Sequence, residues 1–525
     1  MASYDILIKS GTVIDGTGES MKETDIGIKD DEIAAIGKLG DTKAETVIDA
    51  TGKYVTPGFV DITNHSDTYL TLFTCPNLES LVMQGITTIV GGNCGASLAP
   101  LGRSEAINAI KKWADPAKLN LNWATVEEYL QTLDTLRPGV NVGTFVGFGT
   151  LRRGVIGDEI RRLELEEREK VKLLLEKGIQ QGAFGLSLGL SYGHERIART
   201  EEIIDVCQAL RENGGIVKIH LRSEGGGLLA SINEAVRIGR EAKVPVQISH
   251  LKAIGKQAWG NVTKALQLIE YASQSGVNIT FDVSPYATTG SSLYLLIPPW
   301  ARQGGFTELF RRIDNPREKA LLIKDLKSFT LHYDKILITS ATVKTIVGQT
   351  IAQIAETAQL SPEETLIEIV RANEGRVAII GRTVSLKNVE TQIQNKHSFI
   401  ASDGVGYAQE EYRSGNLVHP RSFGTFPRFW HRFVEHLKLF SPEEAVVKMA
   451  SGPAEKLGIA KRGILKKGNF ADVLVFDPKL LKDRARYRNP FRYAAGLEWS
   501  VINGKVAVEQ GKYMGTRAGK ALRKK

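Results

Sequence analysis

The stretch GFVDITNHSDT, Gly58 to Thr68, starts as a strand and ends as a set of ligands. Phe59 to Ile62 form a short, mostly apolar run, and the polar residues after it leave His65 between two carboxylates, Asp61 and Asp67. In a parallel barrel the chemistry gathers at the carboxyl ends of the strands, so a buried strand finishing on a histidine points to that architecture. Side chains alternate along a strand. A second imidazole on the face of His65 would stand two residues earlier, where the chain has Thr63.

Seven further runs of the same kind follow. They are TTIVGGN (87–93), VGTFVGF (142–148), FGLSLGL (184–190), IVKIHLR (216–222), VQISHL (246–251), NITFDVSP (278–285) and SFIASDG (398–404). Amphipathic segments such as LELEEREKVKLLLEKGIQQG (163–182) and LLASINEAVRIGREAK (228–243) lie between them, so strand and helix alternate as βα units. The expected fold is α/β: a (β/α)8 TIM barrel over residues 58–461. One connection, Pro285 to His397, is too long for a single helix, and the part around 287–345 is expected to be an inserted lid subdomain beside the barrel mouth. Short strands with tight turns fill both ends, for example YDILIK (4–9) and ADVLVFD (471–477). Residues 1–57 and 462–525 are therefore expected to pair into one small β-sandwich.

Composition excludes several classes. The chain of 525 residues is 42% hydrophobic, enough for a large core, and no run approaches the length of a membrane span. The start lacks the basic region and apolar core of a signal peptide, so a cytoplasmic location is expected. A net charge of +9 is in the direction nucleic acid would require, but Arg517, Lys520, Arg523, Lys524 and Lys525 supply five of those charges in an acid-free end. That end reads as a solvated tail, and nucleic acid is not an expected partner. Three cysteines are too few for a disulfide framework.

The residues just beyond the strands form a set: His65, Cys94, His220, His250 and Asp403. Imidazole, thiolate and carboxylate at one mouth are the nitrogen, sulfur and oxygen donors that Zn2+ prefers. Any one of them alone is more often a satisfied strand-end or core residue, and only the coincidence carries the reading. His194, His332, His397, His431, His436, Cys75 and Cys207 lack such placement and read as structural or surface groups.

A chain-long series of motifs sharpens this picture. PGFVDITNHSD, GGNCGASLAP, GAFGLSLGLSY, KIHLRSEG, ISHLKAIG, ASDG, HPRSFGTFPRF and GPAEKLGIAKRG, in this order, resemble the N-acyl-D-amino-acid deacylases (D-aminoacylases) of the amidohydrolase superfamily. The resemblance implies a zinc-dependent hydrolase acting on a small-molecule N-acyl-D-amino acid. Position by position, Cys94, His220 and His250 match the family's tightly held zinc ligands, with His65 and Asp403 on a weaker second-metal side. It also implies Asp403 as general base, Lys252 as a contact for the substrate carboxylate and, more loosely, Tyr192 and Arg413. Three positions depart from the family: Thr63 replaces the first histidine of His-x-His, Phe148 a usual histidine, and Ser284 the first tyrosine of Tyr-Pro-Tyr. One tightly bound zinc and a weak or absent second site are therefore expected. The competing readings are a zinc amidohydrolase of a cyclic amide or dipeptide-like substrate, and a non-catalytic scaffold with a decayed metal site.

Overall fold

A computed structural model of the protein describes residues 4–40, 42–118, 120–329 and 331–524. Eight parallel strands run in sequence order around a ring. They are Phe59–Asp61, Ile86–Gly91, Asn141–Thr144 continued by Val146–Gly147, Gly185–Gly189, Ile216–His220, Val246–Ile248, Ile279–Val283 and Ser398–Ile400. The third strand changes partner at Phe145, pairing first with the second strand and then with the fourth. The ring closes between the first and eighth strands, where Asn64 bridges Gly404, His65 N donates to Gly404 O at 2.8 Å and Asp403 N donates to Thr63 O at 3.0 Å.

Alternation decides what points inward. On the fifth strand, Val217 and Ile219 pack into the layer between strands and helices. Ile216, on the opposite face, joins Ile62, Val90, Phe145, Phe184 and Ala401 in a separate cluster that plugs the barrel interior. Lys218 and His220 follow on that inward face, so a fully buried lysine lies between the apolar plug and the barrel mouth. Its Nζ is 5.5 Å from the centre of the Phe145 ring.

The two ends of the chain build one nine-stranded sheet, joined where Tyr54–Pro57 runs antiparallel to Val473–Phe476. It encloses its own core of Ile8, Ile26, Ile28, Val55, Val473 and Val475. The basic tail is not a solvated end. Val142 of the third strand donates its N–H to Lys520 O and accepts at its O from Leu522 N, Lys520 Nζ reaches Asp31 at 2.6 Å and Arg523 reaches Asp134 at 2.7 Å. Composition alone could not reveal this, because the acids that the tail meets come from distant segments. Lys525, the last of the five tail charges, lies outside the described residues.

The inserted subdomain is larger than expected. Its sheet joins Thr289–Ser292, Ile336–Ser340 and Ala378–Gly381, and its separate core reaches Leu366, Val370 and Ile379, so it continues well past residue 345. Among the described residues no helix is long and apolar enough to cross a membrane.

Candidate active site

Cys94 is carried on a loop that only glycine permits. Gly92 and Gly95 both sit at positive φ; a Cβ on Gly92 would lie 2.2 Å from Phe145 O, and one on Gly95 1.8 Å from Glu195 Oε1. Asn93 Nδ2 ties this loop to the His65 loop, donating to Asn64 O at 2.8 Å. Cys94 (φ 54°), His250 (φ 36°) and Asp403 (φ 51°) themselves adopt left-handed backbone. Such strain in non-glycine residues gathers at functional sites, where the surrounding fold holds it.

Cys94, His220 and His250 bring their donor atoms within 4.8 Å of one another. His220 Nδ1 is 3.1 Å from His250 Nε2, and Cys94 Sγ is 3.4 Å from the same nitrogen. A tetrahedral zinc site, with Zn–N of ~2.0 Å and Zn–S of ~2.3 Å, has edges of ~3.3–3.6 Å, so the set fits that ion. The far side of each ring is also engaged: His250 Nδ1 meets Glu224 Oε1 at 3.1 Å, and His220 Nε2 meets Ser191 Oγ at 2.8 Å. Outer partners of this kind fix tautomer and orientation in metal-binding imidazoles. Burial alone would push the Cys94 thiol up, but the facing imidazoles of His250 and His220 outweigh it and hold the thiol well below its ordinary range.

His65 stands on the other side of Cys94, its Nε2 4.0 Å from Sγ and 3.2 Å from Asp403 Oδ1. Its Nδ1 is buried without a partner. Thr63 does not face this gap as a ligand. Its hydroxyl bonds the buried Lys218 ammonium at 2.6 Å, and Lys218 also bonds Ile62 O and lies 3.9 Å from Asp282. Two residues before His65, on the face where a second imidazole would stand, this chain has a threonine joined to a lysine beneath the centre.

Asp403 is the most heavily engaged carboxylate of the site. Arg421 Nη1 donates to its Oδ2 at 2.6 Å, and Lys252 Nζ lies 3.6 Å from the same oxygen. Burial would raise its carboxyl, but Arg421 and then Lys252 outweigh it and hold the group well below the usual carboxylate range. Arg421 is placed by His419, which accepts its backbone N–H at Nδ1 at 3.0 Å. Tyr192 leans on His220, ring centres 5.2 Å apart, and lines the same cavity.

Not every expected residue arrives. Arg413 is exposed on the turn Gln409–Ser414, stacked near Tyr412, and does not line the cavity; the guanidinium at the centre is that of Arg421. Phe148 is fully buried as an apolar group beside Arg152. Ser284 borders a void of about 20 Å³ behind Lys252, Asp403 and Arg421, room for about one water. Glu224, Ser191, Arg421, His419 and Lys218 were not singled out from sequence. All five sit inside motifs quoted above, Ser191 in GAFGLSLGLSY, Lys218 and Glu224 in KIHLRSEG, and His419 and Arg421 in HPRSFGTFPRF, but nothing in the local pattern sets them apart from their neighbours. His332, expected to be structural or at the surface, is on the cavity wall. His397 instead pairs with Glu270 at 2.9 Å, and Cys207 is buried in a helix.

A profile of the amidohydrolase family matches residues 46–291. A D-aminoacylase of Alcaligenes xylosoxydans xylosoxydans is 32% identical, over 99% of this chain and 97% of its own. The N-acyl-D-glutamate deacylase of Bordetella bronchiseptica, solved with zinc and a phosphonate mimic of the tetrahedral intermediate, superposes with a TM-score of 0.85 at 30% identity over 100% of both chains. A D-aminoacylase described as having a binuclear metal centre, with one-metal activation and second-metal attenuation, superposes at 0.83 with 31% identity, over 99% of this chain and 100% of its own.

Proposed function

The chain belongs to the D-aminoacylase family of amidohydrolases, and from that premise we propose that it removes the N-acyl group from N-acyl-D-amino acids, releasing a carboxylate and a free D-amino acid. The observation that carries this reading is the convergence of Cys94, His220 and His250 beside Asp403 in one cavity. A zinc ion bound by those three residues supplies Lewis-acid polarisation of the amide carbonyl and acidifies water.

Asp403 takes the proton of the attacking water at Oδ1, the oxygen turned toward His65. It then returns that proton to the leaving nitrogen, because amine expulsion needs a general acid. At rest its other oxygen is held by Arg421 and approached by Lys252, which keeps the group ionised but makes it a weak base. A substrate carboxylate competes for the same two cations. As it draws Lys252 and Arg421 away, the Asp403 pKa rises and its basicity increases, so binding and base activation are coupled. Tyr192, leaning on His220, walls the substrate against the centre.

One zinc is held tightly. The second position keeps His65, Asp403 and a shared thiolate, but Thr63 is committed to Lys218 and the ammonium beneath opposes another cation. Purified protein should therefore carry about one zinc per chain and cleave N-acetyl-D-amino acids faster than their L-enantiomers. Absence of zinc, equal rates on both enantiomers, or a preference for a cyclic amide would overturn this reading.

A further inference from the structure

The centre opens into a cavity of about 1320 Å³ between the barrel mouth and the inserted subdomain. Ligand pockets typically span ~300–1,000 Å³, so this space exceeds what a minimal N-acetyl amino acid needs. Its wall has a sign. The insert contributes Arg302, Lys335, Lys344 and Arg376 to the lining and no carboxylate, and Arg382 and Lys256 face the same space. Among the described residues, Arg302, Lys335, Lys256 and Arg382 have no carboxylate within 4.0 Å, and Lys344 reaches only Asn416 Oδ1.

Arg302 is the telling member. It is nine-tenths buried, yet its guanidinium bonds only backbone oxygens, Nε to Ile297 O at 2.8 Å and Nη1 to Ser191 O at 3.5 Å. Ser191 in turn bonds His220, so this unpaired cation stands one residue from the centre. Buried charges are ordinarily paired, and a desolvated guanidinium facing a cavity recognises carboxylates. Leu295, Leu296, Pro299 and Ile336 lie on the same wall, offering apolar cover between the cations.

We propose that the preferred substrate carries an N-acyl group with its own carboxylate, such as a dicarboxylic monoacyl chain, seated in this chamber with its methylenes on the apolar patches and its anion among the insert's cations. The proposal rests on the deacylase reading and specifies its acyl half. An amino-acid side chain ends within about six bonds of its Cα, whereas the acyl chain is the part of the substrate whose length is free to reach the insert.

The test compares matched N-acyl derivatives of one D-amino acid: hexanoyl against adipoyl, and butanoyl against succinyl. The kcat/KM of the diacid should exceed that of its neutral partner about tenfold, the worth of one or two partly desolvated charge pairs, and should fall with added salt. In Lys335→Gln/Arg382→Gln, two exposed positions, the ratio should collapse toward one. Calorimetry with free adipate and hexanoate gives a readout independent of turnover: adipate should bind measurably tighter, and less so in the double variant. If no acyl derivative is cleaved, the deacylase reading fails while adipate binding still decides the chamber's chemistry. Neutral chains cleaved as fast as diacids at both lengths, or adipate binding no better than hexanoate, would overturn the inference.

Discussion

Replacing Thr63 by histidine creates a His-x-His pair on paper, and the contacts of Thr63 predict that alone it fails. The Thr63 hydroxyl is a partner of a fully buried ammonium, Lys218 Nζ, at 2.6 Å. Losing it leaves a bond of a buried charge unmade, about 1–3 kcal/mol. Fitting an imidazole into a position with no solvent exposure adds strain of about 1–3 kcal/mol. Thr63→His should thus destabilise by about 4 kcal/mol and still hold one zinc. Adding Lys218→Met removes the ammonium that clashes with the new ring, while Asp282 keeps His250 N and Gln247 Nε2, each at 2.8 Å. The double variant should recover about 1–3 kcal/mol of coupling and take up a second zinc. Urea unfolding and elemental analysis of the four proteins of the cycle measure both. A single Thr63→His protein within about 0.5 kcal/mol of the parent, binding two zinc ions, would show that Lys218 does not guard this position.

Asp403→Asn should keep its metal and lose about 10²–10⁴-fold in kcat, since an amide cannot accept the water proton; near-normal turnover would remove Asp403 from that role. Glu224→Gln takes the charge from the outer partner of His250, 3.1 Å away. Zinc affinity measured against a chelator should fall about 10–100-fold, and an unchanged affinity would mean that this contact does not tune the centre. Asp61 ties the first strand to the eighth, accepting from Ser402 N at 2.8 Å. Burial raises its carboxyl to about 6 against the pull of its hydrogen bonds. Between the unfolded and folded pKa the native state then binds more protons than the unfolded state. Stability should therefore fall by up to about 3 kcal/mol as pH rises from about 4 to 6. Asp61→Asn should flatten that slope, and unfolding curves of both proteins at pH 4 and 6 decide it.

Much of the centre could be read from the sequence because barrel geometry places chemistry at strand ends, and short β-branched runs mark those ends. His65, Cys94, His220, His250 and Asp403 stand there without reference to any distant contact. The parts that escaped depend on such contacts. Lys218 looks like one polar residue in an ordinary alternation until the closed ring sets it under Thr63. Glu224 lies only four residues beyond His220, yet it serves His250. Arg421 sits where the eighth-strand loop gives way to a helix, with no period to mark it, and the resemblance pointed, loosely, to Arg413 in its place. The tail reads as free charge because Asp31 and Asp134, its partners, are hundreds of residues away in the chain. The insert's far boundary was blurred by helices that resemble barrel helices in sequence.

The left-handed backbone at Cys94, His250 and Asp403 limits how this centre could drift toward a different metal. Aspartate, asparagine, histidine and glycine accept positive φ far more readily than β-branched residues, for which it costs about 1–3 kcal/mol. Cys94→Asp would exchange sulfur for oxygen with the chain path kept, a route toward harder ions such as manganese. Threonine or valine at the same place would disturb the loop before any question of coordination arose. His65 and His220 have ordinary φ and escape this filter. A randomised library at positions 94, 250 and 403 should return a narrow alphabet on foldability alone, so the metals within evolutionary reach of this site are set partly by backbone handedness.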